Sequence, residues 1–304
     1  MRTLGDGGPE ASVVGLGTNN FGARCDFEQS RAVLEAALEA GVTLVDTADI
    51  YSQGTSEEYI GTVLEGRLDR VVVATKFGKP MDGGPDLPRG SRDYIRWAVE
   101  GSLRRLRADA IDVYQMHEPD PRTPIGDTLE ALHELVEEGV VRHVGSSNFS
   151  AEQIEEADRV ARERGLTRFV AAQNHYSLVE REVEDEVLPA CERLGIGMLP
   201  YFPLASGLLT GKYRRGEDFP EGSRFATMSY FASVANDDNF DRIEALTQFA
   251  EGHGHSLLEL AIAWLAAQDG VGSVICGATT PEQVHANARA GDWTLTDDDL
   301  AAVP

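Results

Sequence analysis

The chain of 304 residues is long enough for one large α/β barrel or for two ordinary domains. Its residues are 42% hydrophobic and 26% charged, as in ordinary globular proteins, with no apolar run long enough to span a bilayer and no secretory signal at the N-terminus. The formal net charge of −24 argues against nucleic acids and anionic membranes as partners. We therefore expect a soluble, cytoplasmic protein.

Eight short runs rich in β-branched residues predict strands, and periodic apolar residues between them predict amphipathic helices. In chain order the strands are predicted at 11–17, 42–46, 71–76, 111–116, 140–145, 168–173, 196–201 and 272–276. The alternation covers residues 1–304 without a linker or a change in composition. Eight strand–helix units in a single domain indicate an α/β fold of the (β/α)8, or TIM barrel, type.

Two predicted loops interrupt the regular spacing. Residues 77–90 follow the third predicted strand and contain several prolines and glycines, and residues from about 203 to 239 follow the seventh. The second loop is far longer than an ordinary connection in such a fold. Both follow strands, where barrel loops carry function, so we predict that they are binding loops.

Four side chains suited to acid chemistry lie at the ends of three consecutive predicted strands. Asp46 ends 42–46 and Tyr51 follows it, Lys76 ends 71–76, and His117 follows 111–116. In a parallel barrel all four would meet at the carboxyl-terminal mouth, where barrel enzymes carry out their chemistry. We expect the Lys76 ammonium to favour the phenolate of Tyr51, Asp46 to hold Lys76, and His117 to position a carbonyl oxygen. Each residue alone could be ordinary packing, but spacings of about one strand–helix unit favour a shared site.

The chain resembles the aldo-keto reductase superfamily over nearly its whole length. The resemblance is carried by successive segments that include GLGTNNFG (15–22), GVTLVDTADIY (41–51), VVATKFG (72–78), DVYQMHEPD (112–120), GVVRHVGSSNF (139–149), QNHYSL (173–178), LPYFPLASGLLTGKY (199–213) and GATTPEQVHAN (277–287). It implies a (β/α)8 barrel that binds an extended nicotinamide cofactor and passes hydride to a carbonyl. In that case Tyr51 is the general acid, and Asp46, Lys76 and His117 complete a catalytic tetrad.

The same resemblance implies a set of binding residues. The carboxamide of the cofactor would be bound by Ser147, Asn148 and Gln173, and Tyr201 would stack on the nicotinamide ring. Further cofactor contacts are expected from Gly17, Thr18, Leu204, Ser206, Gly207, Leu208, Lys212, Gly277, Thr279, Gln283 and Asn287. Phe21 and Phe77 are expected to line an apolar substrate pocket.

The cofactor and substrate predictions follow from these positions. NADP(H) is the first choice, with Lys212, Arg214 and Arg215 as compensating charges, and NAD(H) is the second because no basic residue stands at Gly277, Thr279 or Gln283. The substrate is expected to be a small carbonyl compound. The sequence carries no signal for an oligomeric state.

Two other functions are compatible with parts of the sequence. A lysine that ends a barrel strand could form a Schiff base, so Lys76 also suits an aldolase. Some members of the superfamily are cofactor-binding regulatory subunits of membrane channels. No metal site is expected, because His253 and His255 have no acidic or cysteine partner at ligand spacing and the three cysteines are widely separated.

Overall fold

A barrel of eight parallel strands forms the centre of the computed structural model, which describes residues 1–220, 223–227 and 236–304. A hairpin of β1 (Arg2–Thr3) and β2 (Glu10–Ala11) precedes it. The barrel strands are β3 (Val14–Gly17), β4 (Leu44–Asp46), β5 (Val72–Phe77), β6 (Ile111–Met116), β7 (Val141–Ser147), β8 (Phe169–Gln173), β9 (Gly197–Met198) and β10 (Val274–Gly277). They pair in sequence from β3 to β9, with β10 beside β3. The Ile275 amide donates to the Pro200 carbonyl over 3.0 Å and joins the two ends of the sheet.

Helices alternate with these strands, and the predicted (β/α)8 architecture is confirmed. The helices are α1 (Phe27–Glu39), α2 (Thr55–Val63), α3 (Arg92–Leu106), α4 (Ile125–Glu137), α5 (Ala151–Arg164), α6 (Val187–Leu194), α7 (Arg224–Thr227), α8 (Asp237–Gly252), α9 (Leu257–Ala267), α10 (Pro281–Ala290) and α11 (Asp297–Ala302). Among the described residues no helix is long and apolar enough to cross a membrane.

Two predicted strands are shortened most in the structure. The predicted strand 11–17 is divided, because Ser12 bonds through its amide to Thr43 and through its hydroxyl to the Val14 carbonyl, so Ala11 belongs to the hairpin. The predicted strand 196–201 is reduced to β9. Pro200, which has no amide hydrogen to donate to a neighbouring strand, contributes to this early end.

The barrel interior is built in layers along the strands. Strand alternation turns Leu44, Ala74 and Ala171 inward, and each is fully buried in an apolar layer. Leu4 of the hairpin is fully buried against the same layer. Two positions further along β4, β5 and β8 stand Asp46, Lys76 and Gln173. A polar layer therefore rests on an apolar one at the carboxyl-terminal end of the barrel.

The two long loops lie where they were predicted. Residues 78–91 connect β5 to α3, and the described residues between β9 and α8 include the 3-10 segment Ala205–Thr210 and the short α7. Within the second loop, residues 221–222 and 228–235 lie outside the described part of the chain.

Candidate active site

The four residues predicted to form the tetrad lie together at the mouth of the barrel. The Lys76 ammonium donates to both carboxylate oxygens of Asp46, over 2.9 and 2.8 Å, and to the Thr47 carbonyl over 2.8 Å. It also lies 5.1 Å from the centre of the Tyr51 ring. The rings of Tyr51 and His117 meet edge to face with their centres 6.0 Å apart. The ends of the strands and the turn that follows β4 therefore bring these four side chains into one compact group.

The Lys76–Asp46 pair is charged and buried. Burial by itself lowers the pKa of Lys76, but the Asp46 carboxylate and Tyr51 outweigh it, so the pKa stands above its ordinary value. The lysine side chain has no exposed surface. Lys76 therefore acts as a fixed positive charge held beneath Tyr51.

Tyr51 differs from the sequence-based expectation in its electrostatics. Burial at the bottom of the cavity raises its pKa, and the opposing charge of Lys76 does not cancel this effect. The Lys76 charge favours the phenolate, as expected, but in the protein alone it is outweighed, because the site is desolvated and Asp46 offsets part of the lysine field. Tyr51 consequently keeps its proton at neutral pH.

His117 is neutral throughout the physiological range. Burial, with the charges of Lys76 and Lys79, lowers its pKa to about 2. Its main chain is fixed by two hydrogen bonds, from its amide to the Phe77 carbonyl at 2.8 Å and from the Asn148 side chain to its own carbonyl at 2.9 Å. A neutral imidazole offers one donor and one acceptor.

Amide and hydroxyl side chains continue the polar layer beside the tetrad. Gln173 donates to Asp46 over 2.8 Å, and the Tyr201 hydroxyl donates to the Asn148 side-chain oxygen over 2.7 Å. Asn148 in turn donates to the Ser147 hydroxyl over 3.1 Å. The Tyr201 ring stacks on His175 with ring centres 5.4 Å apart. His175 belongs to the QNHYSL segment, but no sequence pattern indicated that it would support Tyr201.

A cavity of about 920 Å³ opens above this polar layer. It brings together most of the predicted site residues, namely Gly17, Thr18, Asp46, Tyr51, His117, Ser147, Asn148, Gln173, Tyr201, Leu204, Ser206, Gly207, Lys212, Gly277, Thr279, Gln283 and Asn287. Lys76 lies behind its wall. Leu208 is fully buried in the hydrophobic core and does not line the cavity.

Phe21 and Phe77, predicted for the substrate pocket, are also fully buried in the core and outside the cavity wall. Phe77 follows the inward-facing Lys76 on β5, so strand alternation turns it outward, where it stacks on Tyr114 at 4.8 Å. The rim beside His117 is instead formed by Lys79 and Glu118, whose charged atoms lie 3.5 Å apart. Beside His117 the cavity wall is therefore polar, where an apolar pocket was expected.

The cavity concentrates positive charge in an acidic protein. Arg24, Lys79 and Lys212 line it, against the carboxylates of Asp46 and Glu118. Only three lysines occur in the chain, Lys76, Lys79 and Lys212, and all three lie in or directly behind this cavity. Neither Arg24 nor the Lys79–Glu118 pair was predicted from the sequence, since loop side chains have no periodicity from which their direction can be read.

Backbone strain is concentrated around the same cavity. Seven described non-glycine residues have positive φ, and all except Arg107 are near it: Ser52, Gln53, Asn148, Phe202, Ala205 and Ser206. Gly207 adds a φ of 101° beside Ser206. Such conformations cost of order 1–3 kcal/mol each and cluster at binding sites.

A sequence model of the Aldo/keto reductase family matches residues 13–304. The chain belongs to this family. Membership of this family supports the general activity of an oxidoreductase that reduces carbonyl groups with a nicotinamide cofactor.

Individual relatives also match this chain over nearly its whole length. A probable voltage-gated potassium channel subunit beta of Oryza sativa subsp. japonica is 38% identical, covering 96% of this chain and 90% of the relative. Aldo-keto reductase YhdN of Bacillus subtilis is 35% identical, covering 98% and 90%. Among solved structures, aldo-keto reductase AKR11C1 from Bacillus halodurans, in a holo form, superposes with a TM-score of 0.83 at 30% identity, covering 99% of this chain and 94% of that one.

Proposed function

We propose that the protein reversibly reduces an aldehyde or ketone to an alcohol with a nicotinamide dinucleotide, and that Tyr51 is the general acid and base. The observation that carries the proposal is the hydrogen bond from Gln173, the side chain proposed to bind the carboxamide, to Asp46 of the proposed tetrad. The bound nicotinamide ring would supply or accept hydride. The chain's own residues must then bind the ring, orient the carbonyl and move one proton.

Proton transfer is assigned to Tyr51. Because the phenol is protonated in the free site, it can donate to a carbonyl oxygen that gains negative charge. Lys76 then stabilises the phenolate that remains, and Asp46 keeps the lysine in place. The tetrad thus lowers the energy of the step without a second proton donor.

Orientation of the carbonyl is assigned to His117. Its imidazole is neutral, so it can donate one hydrogen bond to the carbonyl oxygen without adding a positive charge to the site. The edge-to-face contact with Tyr51 keeps the two rings directed at the same region. A carbonyl oxygen between them would contact both donors.

The cavity fits a dinucleotide along its length. Ser147, Asn148 and Gln173 offer donors and acceptors to a carboxamide, and Tyr201 has its ring supported by His175 for stacking. Lys212 suits the pyrophosphate, because it lines the cavity and, among the described residues, forms no ion pair. The ammonium would lie only 3.1 Å from a Cβ at Gly207, so a residue without a side chain leaves it room.

We infer NADP(H) as the preferred cofactor and NAD(H) as the alternative. Arg24 and Lys212 on the cavity wall support the more highly charged NADP(H). The first turn of α10, at the adenosine end, supports NAD(H), because Gln283 is engaged with the Thr279 amide at 2.8 Å and Glu282 is acidic. Titration calorimetry with both cofactors tests the preference, and equal affinity would contradict it.

The polar rim favours a small carbonyl substrate with hydroxyl groups. Lys79 can donate to a hydroxyl oxygen and Glu118 can accept from a hydroxyl hydrogen. Glyceraldehyde and propanal have the same number of carbons and differ in their hydroxyl groups. We expect a higher kcat/KM for glyceraldehyde, and a preference for propanal would contradict a polar site.

The decisive experiment replaces the proton donor. Tyr51→Phe should abolish carbonyl reduction while the cofactor still binds, because the hydroxyl alone is removed. Tyr59→Phe is the matched control, since Tyr59 lies on α2 and packs edge-on against Phe27, 5.2 Å away. Retention of most of the activity by Tyr51→Phe would reject Tyr51 as the acid.

A regulatory role is the second candidate, because two relatives, in rice and in Arabidopsis thaliana, are named probable voltage-gated potassium channel beta subunits and are 38% and 36% identical to this chain. Stopped-flow absorbance of bound reduced cofactor, mixed with an aldehyde, separates the two roles. Oxidation within seconds supports the enzyme. A tightly held cofactor that is never oxidised supports the regulatory subunit.

A Schiff-base aldolase has little support from the geometry. Lys76 is charged, fully buried and engaged by Asp46 and Thr47, so it offers no free amine to a carbonyl. Borohydride trapping of a substrate on Lys76 would revive that alternative.

A further inference from the structure

A second group of ionisable side chains lies on the outer face of β5, behind Lys76. Thr75 points outward from this strand, and its hydroxyl donates to the Glu57 carboxylate over 2.5 Å. Arg105 of α3 donates to the other oxygen of Glu57 over 2.7 Å. The Glu57 side chain has no exposed surface. The strand thus separates two charged pairs, Lys76–Asp46 inside the barrel and Arg105–Glu57 outside.

Asp49 joins this outer group without a partner. It is 1% exposed, and its amide donates to the Lys76 carbonyl over 3.0 Å. The neighbouring Ile50 amide acts to lower the pKa of this carboxyl, but neither carboxyl oxygen has a hydrogen-bond partner of ordinary geometry among the described residues. The same holds for the hydroxyl of buried Tyr114. Tyr114 is the register neighbour of Thr75 on β6, so it faces the same side of the sheet. An ionised carboxylate left unsatisfied in such a place is costly.

In the described part of the chain, both cations near Asp49 are already paired with other carboxylates. Glu57 on α2, Arg105 and Tyr94 on α3, Tyr114 on β6, and Lys76 on β5 all act on Asp49 or are acted on by it. Arg105 is engaged by Glu57, and Lys76 is engaged by Asp46. Burial, reinforced by the Glu57 carboxylate, raises the pKa of Asp49 to about 8.

Asp49 is linked to the proposed proton donor by sequence and by charge. It lies two residues before Tyr51, and its negative charge is among the influences that raise the pKa of Tyr51. An ionised Asp49 therefore makes Tyr51 a weaker acid. A neutral Asp49 removes this influence and leaves the opposing charges of Lys76 and Asp46 to act on the phenol.

We propose that Asp49 is a positioning residue that carries a proton in the working enzyme, and that loss of this proton in alkaline solution slows proton delivery by Tyr51. The effect on catalysis rests on the proposed function. The protonation of Asp49 in the folded protein is independent of that function, and thermal unfolding tests it separately.

The catalytic part is tested by the pH profile of carbonyl reduction. Wild-type kcat/KM should fall above about pH 8. In Asp49→Asn, which keeps the shape and cannot ionise, the fall should move upward by about one pH unit or more, while activity at pH 7 is retained. Asp109→Asn, an exposed aspartate in the loop after α3, is the matched control and should follow wild type.

The stability part uses thermal unfolding without substrate. The unfolded chain releases the Asp49 proton near pH 4, whereas the folded protein holds it to about pH 8, so rising pH destabilises the folded state between these values. Asp49→Asn should match wild type at pH 4 and exceed its Tm by about 5 °C or more at pH 8. Should Asp49→Asn not fold, carbon-13 NMR of aspartate-labelled wild type should show one carboxyl titrating near pH 8.

Each outcome has a definite meaning. Identical stability profiles for wild type and Asp49→Asn, or aspartates that all titrate below pH 6, would overturn the proposal even in a protein that reduces nothing. A stability difference combined with an unchanged alkaline limb of kcat/KM would reject the positioning role and leave the proposed function intact. Complete absence of carbonyl reduction in wild type would overturn the proposed function and the catalytic part together.

Discussion

The side-chain amide of Gln173 donates from Nε2 to Oδ1 of Asp46 over 2.8 Å. Because a carboxylate only accepts hydrogen bonds, this contact fixes which end of the amide faces Asp46 and leaves Oε1 to accept from a ligand. The side chain proposed to recognise the cofactor and the tetrad carboxylate therefore share one oriented contact.

Removal of this contact should weaken cofactor binding. Gln173→Leu has a similar size and loses both polar ends, so we expect the cofactor Kd to rise about tenfold, the equivalent of ~1.4 kcal/mol. Titration calorimetry measures the change. Gln153→Leu, which alters only the capping box at the start of α5, should leave the Kd unchanged, and an equal effect of the two variants would contradict the assignment.

The Lys76–Asp46 pair should be coupled energetically. Lys76→Met leaves the buried Asp46 without its cation, and we expect a loss of about 3–5 kcal/mol in the free energy of unfolding. The double variant Asp46→Asn, Lys76→Met removes both charges and should be less destabilised than Lys76→Met alone. Urea denaturation of wild type, Asp46→Asn, Lys76→Met and the double variant completes the cycle. Additive losses in the free energy of unfolding would show that the pair is not coupled.

The two lysines on the cavity wall should act on different ligands. Lys212→Met should raise the cofactor Kd about tenfold through loss of a charge-assisted contact, and the effect should shrink at high salt. Lys79→Met should leave that Kd unchanged and raise the KM of a hydroxylated substrate. The variants thus serve as controls for each other. Weaker cofactor binding in both, to the same degree, would contradict separate subsites.

Acid should destabilise the protein through His117. The pKa of His117 is about 2 in the folded state and about 6.5 in an unfolded chain. Below pH 6.5 the unfolded chain takes up a proton that the folded protein refuses, so stability is lost as the pH falls. At pH 5 the loss is about 2 kcal/mol. His117→Gln should lose about that much less than wild type between pH 7 and pH 5 in urea denaturation, and equal losses would place the effect elsewhere.

The barrel and the core of the site could be predicted from the sequence because both follow from short-range rules. Strand and helix periodicities locate the elements, and parallel strands bring Asp46, Lys76 and His117 to one end. Strand alternation also predicts the direction of Phe77, which was wrongly expected to line the substrate pocket. Phe77 is next to the inward-facing Lys76, so it must face the helices rather than the substrate.

The remainder depends on tertiary structure. Arg24, Lys79 and Glu118 stand on loops, whose side-chain directions follow from backbone turns rather than from a repeating pattern. The sign of the pKa change at Tyr51 depends on the balance between burial and the Lys76 charge, which requires the folded environment. The cofactor-contact roles of Leu208 and the other predicted residues stay predictions.

The scarcity of lysine has a practical consequence. Lys76 is sealed in the interior, so Lys79 and Lys212 are the lysines open to reagents. An amine-selective dye would thus attach its lysine labels on the wall of the cavity. Protection of those labels by a cofactor or an aldehyde could be followed by mass spectrometry, without any assay of turnover.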